Sequence, residues 1–141
     1  MQVENILQTK GRAVTTVTSG ATIAEAVDLL NAKRIGAVVV VDGNRVAGIL
    51  SERDVVRHLG TDWAALANRP VSDVMTRNVI SVSRFASVGD VMERMTQHRI
   101  RHMPIVENGE LVGIVSIGDV VKRKIEETEQ EATALKEYIA S

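Results

Sequence analysis

The sequence predicts a mixed α/β (α+β) fold made of two tandem β-α-β-β-α copies. Residues 17–56 align without a gap on residues 82–121, and eleven of the forty paired positions are identical. Chance matching at average residue usage would give about two or three identities. In addition, each copy contains two apolar runs joined by an Asp-Gly or Asn-Gly turn, which is a strong hairpin signal, and helical apolar spacing on either side of that hairpin. We therefore expect the copies to pack around a pseudo-two-fold axis, with related clefts between them.

The composition favours one shared module with an aliphatic core. The chain has 141 residues, of which 45% are hydrophobic and only 2% aromatic. A copy of about 55–60 residues would be marginally stable alone, so the two copies should fold together. With so few aromatic residues, a bound nucleobase would be held between aliphatic side chains instead of being stacked on Tyr or Trp.

Charge and residue content exclude several classes of function. The net charge is −1, which gives no broad attraction to nucleic acid or to an anionic membrane. The absence of cysteine rules out disulfides and thiolate metal sites. The N-terminus does not resemble a signal peptide, and no apolar run approaches the ~20 residues that span a bilayer. We expect a cytoplasmic protein with neither a nucleic-acid nor a membrane partner.

Copy one, residues 1–60, is expected to begin with a short apolar prefix. A capping box formed by Thr22 and Glu25 predicts the start of its first helix, and Gly36 suits the C-cap of that helix. A second helix should start at about Glu52. The other predicted elements of this copy are the prefix Val3–Leu7 and the strands Val14–Val17, Ala37–Val41 and Val46–Leu50.

Copy two, residues 71–125, should repeat this order after a linker at residues 61–70. Its first helix should follow a weaker cap at Ser87. The other predicted elements are the prefix Val71–Met75, the strands Val79–Val82, Met103–Val106 and Leu111–Val115, and a helix from about Ile117.

The last helix is predicted to continue into a C-terminal extension, residues 126–141, and to end there at about Ile139. Its apolar positions follow the 4-3-4-3-4 spacing typical of a coiled coil. Two alternatives remain open: an amphipathic helix that lies on its own module, or a contact with a second subunit. The stripe comprises Val121, Ile125, Thr128, Ala132, Leu135 and Ile139.

A Ser-x-x-Asp motif occurs in both copies where a strand ends and a helix begins. The motifs are Ser51/Asp54 and Ser116/Asp119. One interpretation is structural, because Ser at the N-cap and an acid in the first turn are ordinary helix-start features. The other is a binding site: the N–H groups of a helix N-terminus suit a phosphate, and a carboxylate one turn later can accept both hydroxyls of a ribose.

Two β-α-β-β-α repeats that each close with Gly-apolar-apolar-Ser-x-x-Asp resemble a CBS-domain pair, or Bateman module. The resemblance extends from about Val3 to about Arg123, is complete in both copies, and is closest to the stand-alone bacterial type. It implies clefts that bind AMP, ADP, ATP, S-adenosylmethionine or NAD(H). It also implies that Asp54 and Asp119 hold ribose, that the serines reach phosphate, and that first-strand backbone reads adenine. In this chain the resemblance assigns the phosphate contact to Ser51 and Ser116. It assigns the adenine contact to the backbone at Thr16, Val17, Ile80 and Ser81.

The copies differ in the cations that could neutralise a phosphate. Copy two has Arg101, His102 and Met103 where copy one has Gly36, Ala37 and Val38. Copy one instead has Lys10, in an extension before its first strand, and Arg53, inside its Ser-x-x-Asp motif. For each group the alternatives are a solvated surface charge or a phosphate contact. A metal site at His98 and His102 is not favoured, since no carboxylate partner is evident.

These features predict a regulatory module without catalytic activity. The chain has neither a P-loop nor a dinucleotide fingerprint, and neither motif serine has an adjacent base. AMP is the first choice of ligand and NAD(H) the second, with no metal required. A homodimer and an unidentified protein effector are the expected partners. The alternative is a ligand-independent oligomerisation or scaffolding module, in which Ser-x-x-Asp only caps helices; nucleic-acid binding suits neither the charge nor the lack of aromatics.

Overall fold

A computed structural model describes residues 1–60 and 62–140, and within these ranges the chain forms six α-helices and five strands. The mixed α+β class and the long C-terminal helix are therefore confirmed. In chain order the elements are α1 (Val3–Lys10), β1 (Thr16–Val17), α2 (Ile23–Lys33), β2 (Ala37–Asp42), β3 (Arg45–Ser51), α3 (Glu52–Leu59), α4 (Trp63–Ala67), a 3-10 turn (Val71–Asp73), α5 (Val88–His98), β4 (His102–Glu107), β5 (Glu110–Ser116) and α6 (Ile117–Ala140).

The strands are hydrogen-bonded in the order β1-β2-β3-β5-β4. β1 runs parallel to β2, with Thr16 opposite Val39. β2 and β3 form the antiparallel hairpin predicted from the Asp-Gly-Asn turn, and Ala37 lies opposite Ser51 at its open end. β3 joins β5 through one residue pair, Arg45 with Glu110. This register brings the start of β2 next to the residue where β3 gives way to α3.

The described residues form two compact units that do not coincide with the sequence copies. The copy-one unit comprises residues 13–80 and 106–111, and the copy-two unit comprises residues 1–12, 81–105 and 112–141. Helix α1, which precedes copy one in the sequence, therefore belongs to the same unit as α5 and α6. Residues 71–80, which open copy two, belong to the unit that contains α2 and α3.

Each unit has an aliphatic core of the kind that the composition predicts. In the copy-one unit, α2 buries Ile23, Ala26 and Leu30 against strand residues that include Val38 and Val40. In the copy-two unit the buried side chains come from α1, α5, the start of α6 and the strands. They include Val3, Ile6, Leu7, Val82, Val88, Val91, Met95, Met103, Ile105, Val115 and Val120.

The predicted start of α2 is confirmed, but its predicted end is wrong. Thr22 Oγ1 accepts a hydrogen bond from Glu25 N, and Glu25 Oε2 accepts one from Thr22 N, which forms the capping box. The C-cap is Arg34, not Gly36; its φ of 52° is in the left-handed region. Ile35 N donates to Leu30 O at 3.1 Å, so a Schellman-type closure ends the helix before Gly36 is reached.

The predicted strand Val79–Val82 is also wrong, since copy two retains only an isolated parallel bridge between Val82 and Ile105. In copy one, Val39 N donates to Thr15 O and helps to hold β1 in the sheet. The corresponding residue of copy two is Pro104, which has no N–H to donate. The first strand of this copy thereby loses one of the few ladder bonds available to so short a strand.

Three further segments can be compared with the predicted boundaries. Strand β1 covers Thr16–Val17, which is the second half of the predicted strand Val14–Val17. The predicted linker at 61–70 contains helix α4, whose Leu66 is buried; Thr61 lies outside the described residues. Helix α6 covers most of the predicted extension at 126–141, except Ser141, which also lies outside them. Residues 128–140 of α6 are exposed along their whole length.

Candidate functional site

The Ser51/Asp54 motif of the copy-one unit forms a complete capping box at the start of α3. Ser51 Oγ accepts a hydrogen bond from Asp54 N at 3.2 Å, and Ser51 N donates to Asp54 Oδ2 at 3.0 Å. The Ser51 hydroxyl also donates to Asp54 Oδ2 at 3.1 Å. These bonds fix the carboxylate beside the helix N-terminus, where N–H groups and the helix dipole favour negative charge. The motif is therefore a helix cap, and its hydrogen bonds hold the half-buried Asp54 carboxylate in one orientation.

Thr76 is a further contributor to this site that the sequence analysis missed. Its hydroxyl lies 3.3 Å from Asp54 Oδ1 and 3.5 Å from Oδ2. The threonine is held in place by a pair of backbone hydrogen bonds with Ile49, at 2.9 and 3.0 Å. The repeat contains no signal for it, because the matching position after the copy-one prefix is Gln8.

The backbone predicted to read adenine in copy one lies on the edge strand β1. Thr15 O accepts from Val39 N, so the bonds of β1 to β2 come from the residues flanking Thr16. Because alternate backbone groups of a strand point to opposite sides, the N–H and C=O of Thr16 are directed away from β2. Val17 is buried in the core, whereas Ile80 is half-buried.

The Ser116/Asp119 motif of the copy-two unit repeats this geometry at the start of α6. Asp119 N donates to Ser116 Oγ at 3.2 Å, and Ser116 N donates to Asp119 Oδ2 at 2.9 Å. The first N–H of the helix is also used in the same way in both copies. Ile117 N donates to Arg101 O at 2.8 Å, as Glu52 N donates to Gly36 O at 2.9 Å.

Lys10 lies on the motif of copy two, although the sequence groups it with copy one. Its Nζ is 2.7 Å from Asp119 Oδ2 and donates to Ile114 O at 3.1 Å. The lysine is therefore not an isolated surface charge, because it is paired with the Asp119 carboxylate of its own unit. It reaches Asp119 because it is the last residue of α1, which packs in the copy-two unit.

The Asp119 carboxyl has an altered acidity as a result. Burial alone would raise its pKa, but the hydrogen bond from Lys10, the Ser116 N–H and the positive charge of Lys10 outweigh that effect. The net result is a pKa below the ordinary aspartate value. Asp119 is therefore a carboxylate at neutral pH and is paired with an ammonium group.

The other predicted residues differ in how accessible their side chains are. Arg53 and Arg101 are exposed in the first turn of α3 and just before β4, respectively. His102 and Ser81 are half-buried. Met103 is fully buried, so only its backbone is available to a ligand. Within residues 1–60 and 62–140, no cluster of three His, Cys, Asp or Glu side chains could hold a metal ion.

Comparison with known proteins identifies this arrangement. The family model for the CBS domain matches residues 4–61 and 71–126. The chain belongs to the CBS-domain family. Its two CBS domains each end in one of the Ser-x-x-Asp helix starts described above, and proteins made of CBS domains alone are generally regulatory and non-catalytic.

Several relatives match most of this CBS pair. The CBS domain-containing protein YhcV of Bacillus subtilis (strain 168) is 35% identical over 118 residues, which cover 84% of each chain. A CBS-domain containing protein from Agrobacterium tumefaciens has a crystal structure that matches with a TM-score of 0.83 at 45% identity, covering 88% of this chain and 99% of that chain.

One similar CBS pair has been crystallised with ligands. The CBS domain pair of protein MJ0100, in complex with 5′-methylthioadenosine and S-adenosyl-L-methionine, matches with a TM-score of 0.78 at 26% identity. The match covers 90% of this chain and 98% of that chain. At least one protein with this fold thus binds adenosyl compounds. In residues 1–60 and 62–140 of the present chain, no helix is both long and apolar enough to cross a membrane.

Proposed function

We propose that this CBS pair is a non-catalytic sensor of an adenosyl ligand, with AMP as the first choice. The observation that carries the proposal is the pair of carboxylates, Asp54 and Asp119, each held at a helix N-terminus that follows directly on a strand. A carboxylate has about four acceptor positions, so each can bind ribose hydroxyls in addition to its own cap. The adenosyl ligands of the MJ0100 pair support the same class of ligand.

Each residue of the proposed sites has a role that follows from its chemistry. Asp54 and Asp119 accept the hydroxyls of the ribose. The Ser51 hydroxyl, on turning away from Asp54 Oδ2, and the Ser116 hydroxyl donate to a phosphate, together with N–H groups of α3 and α6. Backbone groups of Thr16 and of Ile80–Ser81 read the adenine edge, whereas the Val17 backbone is used in the pairing of β1 with β2; aliphatic side chains enclose the base.

Cations decide how many phosphates the sites accept. Arg53 in copy one and Arg101, His102 and Lys10 in the copy-two unit offer charge-assisted bonds to phosphate oxygens. AMP needs the fewest of them; ADP or ATP would use more, and NAD(H) is the second choice. No metal is needed, because the protein supplies the positive charge.

The regulatory output follows from linkage. A ligand that prefers one packing of the CBS pair shifts the population toward that packing, and a protein effector that prefers the same packing then binds more tightly. We propose that the chain acts in the cytoplasm as a homodimer and that an unidentified protein reads its state.

The test is isothermal titration of the purified protein with AMP, ATP, NADH and S-adenosylmethionine. Asp54→Ala and Asp119→Ala should each weaken or abolish one site, whereas Asp28→Ala, at an exposed position of α2, should bind as the wild type does. Circular dichroism would check that all three variants are folded. Micromolar binding of one ligand that is lost in the site variants supports the proposal.

The second candidate is a ligand-independent oligomerisation or scaffolding module. The observation that favours it is the complete capping box at Ser51 and Asp54, since capping alone accounts for both side chains. In that case the two Asp→Ala variants lose roughly 0.3–1 kcal/mol of stability each, as expected for an acid in the first turn of a helix, and no nucleotide affinity. A folded wild-type protein that binds none of the four ligands would favour this candidate.

A further inference from the structure

The two motif carboxylates are covered by chemically different donors. Asp54 accepts the neutral hydroxyl of Thr76, whereas Asp119 accepts the ammonium of Lys10. Both donors come from the segment that follows a repeat prefix, and both lie in the same compact unit as the carboxylate they contact. The two sites are therefore alike in their capping serines but differ by one positive charge at the ribose-binding carboxylate.

The positive charge of Lys10 makes binding of a ribose at Asp119 less favourable, because the two compete for the same carboxylate. Lys10 Nζ lies 2.7 Å from Asp119 Oδ2. The two adjacent hydroxyls of a ribose, when each binds one oxygen of the carboxylate, place one hydroxyl at Oδ2, where it competes with Lys10. A hydroxyl that takes this position replaces an ion pair with a hydrogen bond from an uncharged donor, so the attraction between the two opposite charges is lost. It also leaves Lys10 without its counter-ion, in a position where its side chain is 35% exposed.

A phosphate on the same ligand removes this penalty. Asp119 lies in the first turn of α6, where N–H groups favour an anion, and Lys10 is within a side chain's reach of that turn. An ammonium that leaves the carboxylate can pair with the phosphate, so its charge stays compensated. At Asp54 no such exchange is required, because Thr76 carries no charge.

We propose that Lys10 is a specificity residue that restricts the Asp119 site to phosphate-bearing adenosyl ligands, while the Asp54 site also accepts ligands without a phosphate. The inference rests on the proposed function and adds to it a chemical difference between the two sites. A sensor built this way reports two classes of adenosyl compound through one fold, since AMP reaches both sites and adenosine only one.

The test isolates the Asp119 site by placing each variant in an Asp54→Ala background. AMP and adenosine are titrated calorimetrically into that protein, into its Lys10→Met derivative and into a Lys33→Met derivative, which removes a lysine from the end of α2. With Lys10 present, AMP should bind at least about tenfold more tightly than adenosine. Lys10→Met should weaken AMP binding and strengthen adenosine binding, so that the preference collapses; Lys10→Arg should keep it, and Lys33→Met should not alter it.

Opposite changes for the two ligands separate this role from a merely structural one, which would weaken both together. An unchanged preference, or weaker binding of both ligands in Lys10→Met, overturns the inference while the proposed function stands. The same holds if AMP binds the wild type but not the Asp54→Ala background. If the folded wild-type protein binds no adenosyl ligand, both proposals are overturned.

Discussion

The side chain of Leu7 lies directly over the backbone of Gly113. A Cβ built at Gly113 would stand 2.7 Å from Leu7 Cδ2, closer than real Cβ contacts occur. Copy one has the same relationship at Gly48, where a Cβ would lie 2.6 Å from Met75 Sδ and 2.8 Å from the carbonyl oxygen of Thr76. The glycine three residues before each motif serine is therefore required by a prefix segment that packs on the strand.

Replacing Gly48 with alanine should destabilise the protein by about 1–3 kcal/mol, the usual cost of overpacking. The larger effect is expected at Gly48, because one obstacle there is the Thr76 backbone, which cannot move without breaking its bonds to Ile49. At Gly113 the three atoms nearest to an added Cβ all belong to the side chain of Leu7, which can shift more easily than backbone, so Gly113→Ala should cost less. Urea unfolding of both variants measures the difference.

Gly20→Ala is the matched control for these variants, since a Cβ at Gly20 meets nothing within 4 Å. If Gly48→Ala is no less stable than Gly20→Ala, the close packing of residues 75–76 on β3 is contradicted.

Replacing the two arginines that end α2 and α5 with glycine should increase the stability of the protein. Arg34 and Arg99 are both exposed and both left-handed, with φ of 52° and 54°. A side chain in this conformation costs about 1–2 kcal/mol that glycine does not incur, although glycine also makes the unfolded chain more flexible. Arg34→Gly and Arg99→Gly should therefore each stabilise the protein by up to about 1 kcal/mol, measured by urea unfolding.

Lys33→Gly is the control, one residue earlier and inside α2. The same substitution there should destabilise by about 0.5–1 kcal/mol, because glycine is unfavourable within a helix. Equal effects at positions 33 and 34 would show that the left-handed cap does not limit stability.

The sequence predicts those features that depend on local pattern. Alignment of the copies locates the Ser51 and Ser116 motifs, and the capping rule predicts the start of α2 at Thr22 correctly. The sequence misplaces features that depend on a single backbone group or on packing. Glycine is the residue type preferred at a helix C-cap, so Gly36 is the expected end of α2, but the helix ends two residues earlier at the Arg-Ile dipeptide that both copies contain. The apolar pattern of Val79–Val82 predicts a strand, but it carries no information about the N–H that its neighbour lacks at Pro104.

The position of Lys10 shows a more general limit. An alignment of two copies relates each residue to its counterpart, but it does not say which copy a prefix packs against. Helix α1 belongs to the copy-two unit and residues 71–80 to the copy-one unit. The cation at Asp119 and the hydroxyl at Asp54 both follow from that exchange, so neither could be assigned from the repeat alone.

The ion pair between Lys10 and Asp119 should make part of the stability depend on pH. Because the folded-state pKa of Asp119 lies below its ordinary value, the pair's contribution is fully present above the unfolded-state pKa and is lost as the pH falls through the folded-state pKa. Both side chains are about one-third exposed, so we expect about 0.5 kcal/mol. Lys10→Met should raise the pKa of Asp119.

Carboxyl NMR titration of Asp119 in the wild type and in Lys10→Met measures that pKa shift directly. The difference in unfolding free energy between the two proteins should be largest near neutral pH and should shrink in acid. A difference that stays constant with pH would mean that Lys10 acts through packing of its aliphatic stem and not through its charge.

The exposed part of α6 is the surface on which the proposed homodimer can be tested. Residues 128–140 are exposed throughout, and the apolar stripe leaves Ile125, Leu135 and Ile139 with 54%, 59% and 73% of their surface exposed. A second apolar surface lies in the copy-one unit, where Val56 is 68% exposed beside a groove lined by Val27 and Val55. Each surface predicts a different dimer.

Leu135→Asp combined with Ile139→Asp should convert the dimer to a monomer if α6 forms the interface, because each change places a charge in an apolar contact and leaves it without a partner. Light scattering coupled to size-exclusion chromatography gives the mass directly. Neither substitution should alter the stability of the monomer, since both side chains are exposed in it. Val56→Asp is the matched change on the other surface. Dissociation by Val56→Asp alone would assign the interface to α3, and a monomeric wild type would contradict the proposed homodimer itself.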